Sequence, residues 1–424
     1  MVSINRRQLL LGAAATTGLT ALSAAGATPA GASGGVDWAA ARREFRLDPS
    51  WINLSLFYLS SHPRAVREAI ATLRDQLDAN PLDIDDNLTL PDGPTGWDRT
   101  RAALAGYLGG SPQEYALVQN TTVGLGLVYN GIVLRPGQEF LISAQEHNAH
   151  QGAAILAAEK HGATVRHIRL FDRPADVSPA EVAERLRQEI RPQTRIVGVT
   201  WVQSGTGVRV PVETVAGVVA EANEGRAEAD RCLLVVDGVH AIGAIDTGID
   251  TIGADFVVAG AHKWLFGPRG TGLIWSPPAA WPQLRPTVAP VFRTDGIVNM
   301  TPGTFQAFEH MFALPAAIQF QQQLGRARVA ARIADLSTRV KQGLAAIPGV
   351  TVHTPMDPAR SGGITAFDLG GMDRDLVTAR LREKRIGITT APYAENYLRI
   401  GTAPINTPAE IDQALHELRV LARS

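Results

Sequence analysis

The sequence predicts an α/β protein: a three-layer α/β/α large domain with a mainly parallel sheet, followed by a small C-terminal α+β domain. Short apolar segments rich in branched residues alternate with helical patterns up to about residue 276. The periodicity then fades between residues 277 and 311, and strands and helices resume on a smaller scale after one long helical pattern. Such alternation is typical of parallel strands covered by helices on both faces.

The composition indicates a soluble globular protein. The chain has 424 residues, of which 45% are hydrophobic and 19% charged, and its formal net charge is −1. This length allows two domains, and no polybasic patch favours nucleic acid as a partner. The single cysteine, Cys232, begins an apolar run and is predicted to be a small core residue. Disulfides and cysteine-rich zinc sites are therefore excluded.

The first 35 residues carry a signal pattern. Arg6 and Arg7 precede a mildly apolar stretch over residues 11–25, and small residues follow at 30–32. This order predicts a twin-arginine signal peptide cleaved near Ala32, and hence export of a folded protein to the periplasm or beyond, with no membrane contact after cleavage. A disordered terminus and a membrane anchor are the alternatives, although the apolar stretch is shorter than the roughly 20 residues of a span.

The secondary-structure elements follow in order. Ser61 is placed to cap a helix whose apolar residues recur between 66 and 77. Strands are predicted at 115–119, 139–143, 164–170, 195–202, 232–237, 255–259 and 272–275, and then at 351–353, 364–369 and 397–400. One long helix is predicted over 314–347. The predicted division is a signal peptide (1–35), an N-terminal segment (36–60), a large domain (61–312) and a small domain (313–424).

Lys263 is one of only four lysines, and it follows an apolar strand pattern. It lies in residues 260–272, which read Gly-Ala-His-Lys-Trp-Leu-Phe-Gly-Pro-Arg-Gly-Thr-Gly. Burial at the end of a strand disfavours the ammonium form, and a Schiff-base nucleophile requires the neutral amine. The alternative is an ordinary lysine in a surface loop.

Two polar groups follow other predicted strands. Asn120, Thr121 and Thr122 open a helix, where free amides and hydroxyls suit a phosphate; an ordinary helix cap is the alternative. Asp237 ends a strongly apolar strand, with His240 three residues later. A carboxylate so placed needs a cationic partner, which a protonated ring nitrogen, an arginine or a metal would each provide.

A third polar group, at residues 144–150, contains two histidines. His147 could lie over a flat cofactor ring. A zinc site built from His147 and His150 with Glu146 or Asp237 is the alternative, but this spacing is not that of the usual helical ligand pairs. Open α/β sheets bind ligands at the carboxyl ends of their strands, where all these groups are predicted to lie.

One ligand, pyridoxal 5'-phosphate, would satisfy these groups together, because it combines a phosphate, a cationic ring nitrogen, a flat ring and an aldehyde. With these features the chain resembles the class V aminotransferase family of fold-type I pyridoxal-phosphate (PLP) enzymes, in its isopenicillin N epimerase-like branch. The resemblance covers roughly residues 50–420. Its most specific motifs are Val-Asp-Gly-Val-His-Ala-Ile-Gly at 236–243 and Ala-His-Lys-Trp-Leu-Phe-Gly-Pro-Arg-Gly-Thr-Gly at 261–272.

The resemblance implies roles around the cofactor. Lys263 would form the internal aldimine, Asp237 would pair with the ring nitrogen, and His147 would stack on the ring. The residues implied at the phosphate and the phenolic oxygen are Asn120, Thr121, Thr122 and His262 for the phosphate, and His240 and Ser204 for the oxygen.

The resemblance also implies substrate and subunit contacts. Arg399 matches the arginine that grips the substrate α-carboxylate through a bidentate pair. Thr304 resembles the element that reaches the neighbouring subunit's phosphate, so a homodimer is expected. Residues 52–58, which include Tyr58 as a substrate-binding residue, and residues 305–310 depart from the family pattern and are predicted to line the entrance. The departures imply a substrate other than the tripeptide precursor of penicillin.

The implied reaction begins with an external aldimine of an amino acid, or of the amino-acid portion of a specialised metabolite, and loss of the α-proton to a quinonoid carbanion. A lyase, transaminase or deaminase outcome is the leading prediction, and epimerisation is the alternative. Candidates for the second acid of an epimerase are His150, Tyr58 and His310. Cysteine desulfuration is not expected, because Cys232 lies in a predicted core strand. A catalytically silent cofactor-binding protein is the alternative from another class.

Overall fold

The computed structural model describes residues 35–82, 94–290, 295–303 and 305–423. The predicted signal peptide and Thr304 lie outside these residues. From Asp37 onward the chain falls in one compact unit, and the predicted domain boundaries stay predictions. Among the described residues, no helix has both the length and the apolar character needed to cross a membrane.

The strands are, in chain order, β1 (Ile52–Asn53), β2 (Tyr115–Val118), β3 (Glu139–Ser143), β4 (Thr164–Ile168), β5 (Thr194–Thr200), β6 (Leu233–Asp237), β7 (Phe256–Gly260), β8 (Gly272–Trp275), β9 (Val350–Val352), β10 (Ile364–Leu369), β11 (Ile386–Gly387), β12 (Thr389–Thr390) and β13 (Leu398–Gly401). The α-helices are α1 (Trp38–Arg43), α2 (Arg64–Ala79), α3 (Gly96–Leu108), α4 (Thr121–Gly131), α5 (Asn148–His161), α6 (Pro179–Glu189), α7 (Val212–Ala222), α8 (Phe308–Met311), α9 (Leu314–Leu324), α10 (Arg326–Ala345), α11 (Arg374–Glu383) and α12 (Pro408–Leu421).

The larger sheet has seven strands in the order β2-β8-β7-β6-β5-β3-β4. Strand β8 is antiparallel to both of its neighbours, and all other neighbouring strands are parallel. The prediction of a mainly parallel sheet is therefore confirmed. Order and direction place the carboxyl ends of β3, β5, β6 and β7 along one edge.

Helices cover both faces of this sheet. Alternate residues of β6 belong to different core clusters, Leu234 and Val236 to one and Leu233 and Val235 to the other. Because side chains alternate across a strand, the two clusters lie on opposite faces. Helices α3, α6, α7 and α9 contribute to the first cluster, and α4 and α5 to the second. Burial on both faces explains why these strands read as continuous apolar runs.

The chain from residue 350 onward builds a second sheet of four antiparallel strands, in the order β12-β13-β10-β9. Helices α10, α11 and α12 cover it through a core of aliphatic side chains, including Leu336, Leu381 and Leu415. Strand β1 pairs in parallel with β11. This pairing joins the N-terminal segment to the C-terminal part of the chain, a contact that local periodicity did not predict.

Two predicted element boundaries were wrong. Helix α2 begins at Arg64 after Pro63, so Ser61 does not cap it. The helix predicted over 314–347 is two helices, α9 and α10, which are separated at Gly325. Gly325 has φ +85°, in the left-handed region that interrupts a helix and favours glycine. The apolar periodicity continues across the break, which explains why the sequence read as one helix.

Candidate active site

Four chemistry-bearing side chains meet at the carboxyl edge of the seven-stranded sheet. Asp237 is the last residue of β6, Lys263 follows β7 by three residues, and His147 follows β3 by four. His240 lies in the turn after β6. Electrostatic interactions link the four side chains, which lie together at the ends of strands in one sheet.

The Lys263 amine faces His240. Its Nζ lies 3.0 Å from Nε2 of His240, and Trp264 donates from Nε1 to Nδ1 of the same imidazole at 3.3 Å. Burial, followed by the charge of Lys263, lowers the His240 pKa well below its usual value, so the ring is neutral. Because Nδ1 accepts, Nε2 carries the proton and donates to Nζ. Only a neutral amine can accept that hydrogen bond.

The Lys263 pKa is lowered toward neutrality. Burial lowers it from 10.5 to about 8, with the charge of Asp237 opposing the shift and that of Arg399 supporting it. At pH 7 about a tenth of the amine is therefore unprotonated, which is several hundred times the neutral fraction of an ordinary lysine, as roughly 2.5 pKa units imply. This is the property that the sequence predicted for a Schiff-base nucleophile.

Asp237 is a buried carboxylate without a basic side chain bonded to it. Its Oδ1 accepts a hydrogen bond from the backbone nitrogen of Val239 at 3.0 Å. Burial raises its pKa, against the charges of His150 and Lys263 and the Val239 bond. Among the described residues no arginine or lysine forms an ion pair with Asp237, and no group of three or more His, Cys, Asp or Glu side chains is arranged to hold a metal ion. The protonated ring nitrogen of a bound cofactor would supply the positive partner that this buried carboxylate needs.

His147 lies at the start of α5 as a neutral imidazole. Its Nδ1 accepts from the backbone nitrogen of Ala149 at 3.0 Å and caps the helix, which leaves the proton on Nε2. Burial, followed by the charge of Lys263, lowers its pKa to about 4. The capping bond fixes the orientation of a flat, uncharged ring at the edge of the sheet, as a side chain stacked on a cofactor requires.

The predicted phosphate residues separate into two groups. Asn120 caps α4 by accepting from the backbone nitrogen of Val123 at 2.9 Å, which is the ordinary role that the sequence left open. Thr121 Oγ1 accepts from the backbone nitrogen of Gly260 at 2.8 Å, so its hydroxyl hydrogen can still be donated. His262 lies close to the same glycine. Thr121, His262 and the exposed Thr122 are therefore available to an anion at the start of α4.

Arg399 is almost completely buried and only partly bonded. Its exposed fraction is 3%. Nη1 donates to the backbone oxygen and Oγ of Ser204, both at 2.9 Å, and Nη2 donates to the backbone oxygen of Thr390 at 2.7 Å. Nε is buried and has no hydrogen-bond partner. An unsatisfied guanidinium nitrogen in a buried site is costly, and a carboxylate would satisfy it in the bidentate geometry that arginine favours.

Ser204 and Tyr58 are both placed near Arg399. The structure shows Ser204 bonded to the guanidinium, a contact that the sequence did not predict. Tyr58 is 65% exposed and interacts electrostatically with Arg399, and the neighbouring Phe57 places its ring 5.2 Å from the guanidinium carbon. Segment 57–58 therefore lies beside Arg399, where a substrate entrance was predicted.

The sequence did not identify Tyr393 as a site residue. Its ring centre lies 5.7 Å from that of His147, in an edge-on arrangement with an interplanar angle of 72°. Its hydroxyl interacts with Ser204 and Arg399, and burial raises its pKa. Tyr393 thus links the two sides of the site. It lies between β12 and β13 in a segment without periodicity, so the only sequence signal was an aromatic residue six positions before Arg399.

The three candidates for a second acid occupy different environments. His150 is fully buried, with both ring nitrogens in contact with other side chains, so it is not available to a substrate. His310 places Nδ1 2.9 Å from the backbone oxygen of Arg269. Tyr58 remains exposed beside Arg399. The structure therefore removes His150 from this group.

The family model described as Aminotransferase class-V matches residues 92–413. Isopenicillin N epimerase of Streptomyces clavuligerus is 31% identical, over 91% of this chain and 98% of the relative. The epimerase of Amycolatopsis lactamdurans is 30% identical, over 91% and 99%. A structure of a C-DES mutant with glycine covalently linked to its PLP cofactor has a TM-score of 0.80 at 20% identity, covering 89% of this chain and 98% of that chain.

These matches confirm the predicted fold class, family and cofactor. The structural likeness, at its low identity, supports the fold alone. The family match and the epimerase similarities span most of the chain, including the segments that carry His147, Asp237, Lys263 and Arg399. The buried Asp237 without a bonded cation and the unpaired Nε of Arg399 fit the cofactor and an amino-acid substrate. The chain belongs to the aminotransferase class-V family of pyridoxal-phosphate-dependent enzymes.

Proposed function

We propose that this enzyme acts at the α-carbon of an amino acid, or of the amino-acid portion of a specialised metabolite, that carries a free α-carboxylate. Bound PLP withdraws electrons from the α-carbon of an attached amino group. The residues that would hold the cofactor are Lys263 through a covalent bond, Asp237 at the ring nitrogen and His147 beside the ring. The remaining contacts are Thr121, Thr122 and His262 for the phosphate, His240 beside Lys263, and Arg399 with Ser204 and Tyr58 for the substrate.

The observation that carries the proposal is the unpaired Nε of Arg399. The other guanidinium nitrogens are held by Ser204 and Thr390, so the side chain is fixed in place before a substrate binds. Its buried positive charge has no carboxylate partner among the described residues. The charge of Arg399 also lowers the pKa of Lys263, which supports a substrate site that both side chains face. An α-amino acid presents an amino group and a carboxylate that match this pair.

Lys263 is the proposed carrier of the α-proton. Burial gives its free amine a pKa of about 8, so the amine can both hold and release a proton near neutral pH. Nε2 of His240 lies 3.0 Å from the amine and limits where it can lie in the site. What happens at the α-carbon after it has lost its proton determines whether the enzyme is a lyase, a transaminase or a deaminase. These three reactions are the leading candidates.

Epimerisation is the second candidate, and two observations favour it. The relatives named above are isopenicillin N epimerases. In addition, the hydroxyl of Tyr393 interacts with Arg399 while its ring contacts His147, so this hydroxyl is a candidate second proton carrier for a substrate held by Arg399. Desulfuration by a cysteine nucleophile is disfavoured, because Cys232 is fully buried and burial raises its thiol pKa to about 12.

Export and self-association complete the proposal. The paired Arg6 and Arg7 with the following apolar stretch support export through the twin-arginine pathway after the cofactor has been loaded. The resemblance of the segment around Thr304 to the family's inter-subunit phosphate contact supports a homodimer. An exported enzyme of this family suits the modification of a specialised metabolite outside the cytoplasm.

The reaction is tested by mass spectrometry of products. Purified enzyme would be offered amino acids, S-conjugated cysteines and amino-acid-terminated metabolites, each paired with its α-carboxamide as the matched control. Release of ammonia and a thiol would identify a lyase, and a keto acid formed only with an acceptor would identify a transaminase. Conversion of the carboxamides as fast as the acids would contradict the role of Arg399. A cofactor-loaded protein that changes no compound would support the silent alternative.

The epimerase candidate is tested in deuterated water. Incorporation of deuterium at the α-carbon with inversion of configuration is the expected result for epimerisation. Exchange with complete retention would exclude it, because a single proton carrier returns the proton to the face from which it came.

Export and dimerisation have separate tests. Replacement of Arg6 and Arg7 by lysine should retain the protein in the cytoplasm, and fractionation of cells that express the full chain measures this. The molar mass of the holoenzyme in solution, from light scattering, tests the dimer. A monomeric, fully cofactor-loaded protein would contradict the proposed contact of Thr304.

A further inference from the structure

A hydrogen-bonded cluster of titratable side chains lies beneath the candidate site. His150 places Nε2 2.5 Å from the hydroxyl of Tyr129, and its Nδ1 lies 2.7 Å from Oε2 of Glu146. The imidazole and phenol rings are stacked at 5.6 Å. Glu146 accepts from the backbone nitrogen of Thr200 at 2.9 Å and from its hydroxyl. The exposed fractions of Tyr129, Glu146 and His150 do not exceed 2%. We refer to Tyr129, Glu146 and His150 as the buried triad.

The fold places the buried triad next to Asp237. Thr200, which anchors Glu146, is the last residue of β5 and lies directly opposite Asp237 in the parallel pairing of β5 with β6. Tyr129 reaches the same region from α4. On β5, Gly198 leaves room for the cluster, since a Cβ at that position would come within 2.9 Å of His150 Nε2 and closer still to the Tyr129 hydroxyl.

The surroundings of His150 favour its protonated form. Burial alone would disfavour the imidazolium, but contact with Glu146 and the charge of Asp237 outweigh it and raise the His150 pKa. Burial raises the Tyr129 pKa well above 10, so its hydroxyl stays protonated, and its oxygen can accept from Nε2 of His150. His150 is the first of the charges that oppose the burial effect on Asp237.

Two carboxyl groups, those of Glu146 and Asp237, lie in a region without solvent, and His150 contacts the first and acts electrostatically on the second. Lys263 is the other basic side chain that acts on Asp237, but with a pKa of about 8 it can lose its charge. A protonated ring nitrogen bound to Asp237 would add a further positive charge. Without the imidazolium, protonation of Asp237 would be the least costly way to relieve a poorly compensated buried charge.

We propose that the buried triad is a positioning device for Asp237: it holds the His150 imidazolium behind this carboxylate and keeps the carboxylate ionised for the ring nitrogen. The inference rests on the proposed role of Asp237. The triad touches neither substrate nor cofactor in this scheme and acts only through Asp237. The titratable groups that act on Asp237 or His150 are Tyr129 on α4, Glu146 and His147 ahead of α5, Lys263 after β7 and Tyr393 between β12 and β13.

The first test replaces His150 by asparagine in the holoenzyme. Loss of the imidazolium should raise the pKa of Asp237, so cofactor binding should weaken at least tenfold at pH 8 and further at pH 6, where more of the carboxyl would be protonated. The measurements are the cofactor dissociation constant and the pH dependence of the visible absorbance band. Wild-type values at both pH values would overturn the proposal, as would a loss equal at both pH values and matched by a loss of thermal stability.

Glu146→Gln provides a second route to the same result, with a side chain of nearly unchanged shape. It removes the charge that holds His150 protonated, so it should reproduce the pH-dependent loss. The double variant should lose no more than either single variant, because both remove one effect. Additive losses would overturn the proposal. Tyr129→Phe, which keeps the stacked ring, should have the smallest effect of the three.

Two further measurements distinguish a failure of this inference from a failure of the proposed role of Asp237. Asp237→Asn is expected to weaken cofactor binding more than any triad variant; if it does not, the proposed role of Asp237 fails together with this inference. If Asp237→Asn does so and the triad variants do not, only this inference fails. In wild-type holoenzyme, nitrogen chemical shifts should show His150 doubly protonated from pH 6 to 8. A neutral tautomer in that range would overturn the proposal without any substitution.

Discussion

The two sides of the active site are built in different ways. On the cofactor side, His147, Asp237 and Lys263 each lie within a few residues of the end of a buried strand in one sheet. On the substrate side, Tyr58, Tyr393 and Arg399 come from segments more than 300 residues apart, which meet only in the folded protein. Asp237 is fully buried, whereas Tyr58 is 65% exposed. The parallel sheet thus fixes one side, and long-range packing assembles the other.

This difference predicts two patterns of response to substitution. Changes on the cofactor side should alter the visible band of the cofactor and the rate with every substrate. Changes on the substrate side should preserve the band while altering substrate affinity and selectivity.

Lys263→Ala should lower the turnover rate by at least about 10³-fold, because it removes both the covalent link and the proton carrier. The visible band should shift or disappear in the same preparation. The matched control is Lys160→Ala, in which an exposed lysine on α5 is lost. A Lys263→Ala enzyme with an unchanged band and rate would show that the anchoring amine belongs to another residue.

The rate of cofactor capture by the apoenzyme should rise about tenfold per pH unit below pH 8 and then level off. Only the unprotonated amine attacks the aldehyde, and burial lowers the Lys263 pKa from 10.5 to about 8. Stopped-flow absorbance from pH 6 to 10 measures this. A rate that continues to rise through pH 10 would indicate an ordinary, solvated lysine.

The sequence predicted the cofactor side of the site better than the substrate side. Strand ends are visible in sequence, so Asp237 and Lys263 could be located from apolar runs and the polar residues that follow them. Tyr393 was missed because its segment has no periodicity and its partners, His147 and Arg399, are 246 and 6 residues away. His150 was predicted as a possible zinc ligand or second acid, because residue type reveals neither burial nor the contact with Tyr129. The roles of Tyr393 and His150 depend on tertiary packing, which local sequence patterns do not reveal.

Arg399→Lys should raise KM for α-carboxylate substrates by about 10- to 100-fold, as expected for loss of a bidentate charged pair worth about 1.5–3 kcal/mol. A lysine has one nitrogen and cannot bond Ser204, Thr390 and a carboxylate in the same geometry. The visible band should remain, and the weak binding of α-carboxamides should not change. An altered band would show that Arg399 belongs to the cofactor side as well.

Tyr393→Phe should weaken substrate binding by about tenfold or less, the value of one neutral hydrogen bond of about 0.5–1.5 kcal/mol. The phenyl ring retains the edge-on contact with His147, so the visible band should be preserved, whereas Tyr393→Ala should alter it. Tyr397→Phe is the matched control, because that tyrosine stacks on His353 at 3.9 Å, in the neighbouring strand pair.

If the enzyme is an epimerase that uses Tyr393 as its second proton carrier, Tyr393→Phe should also abolish inversion while α-proton exchange with retention continues. Tyr393 contacts His147 on the cofactor side and Arg399 on the substrate side. If Tyr393→Phe changed only the visible band and left substrate binding unchanged, Tyr393 would belong to the cofactor side, and the substrate side would begin at Arg399.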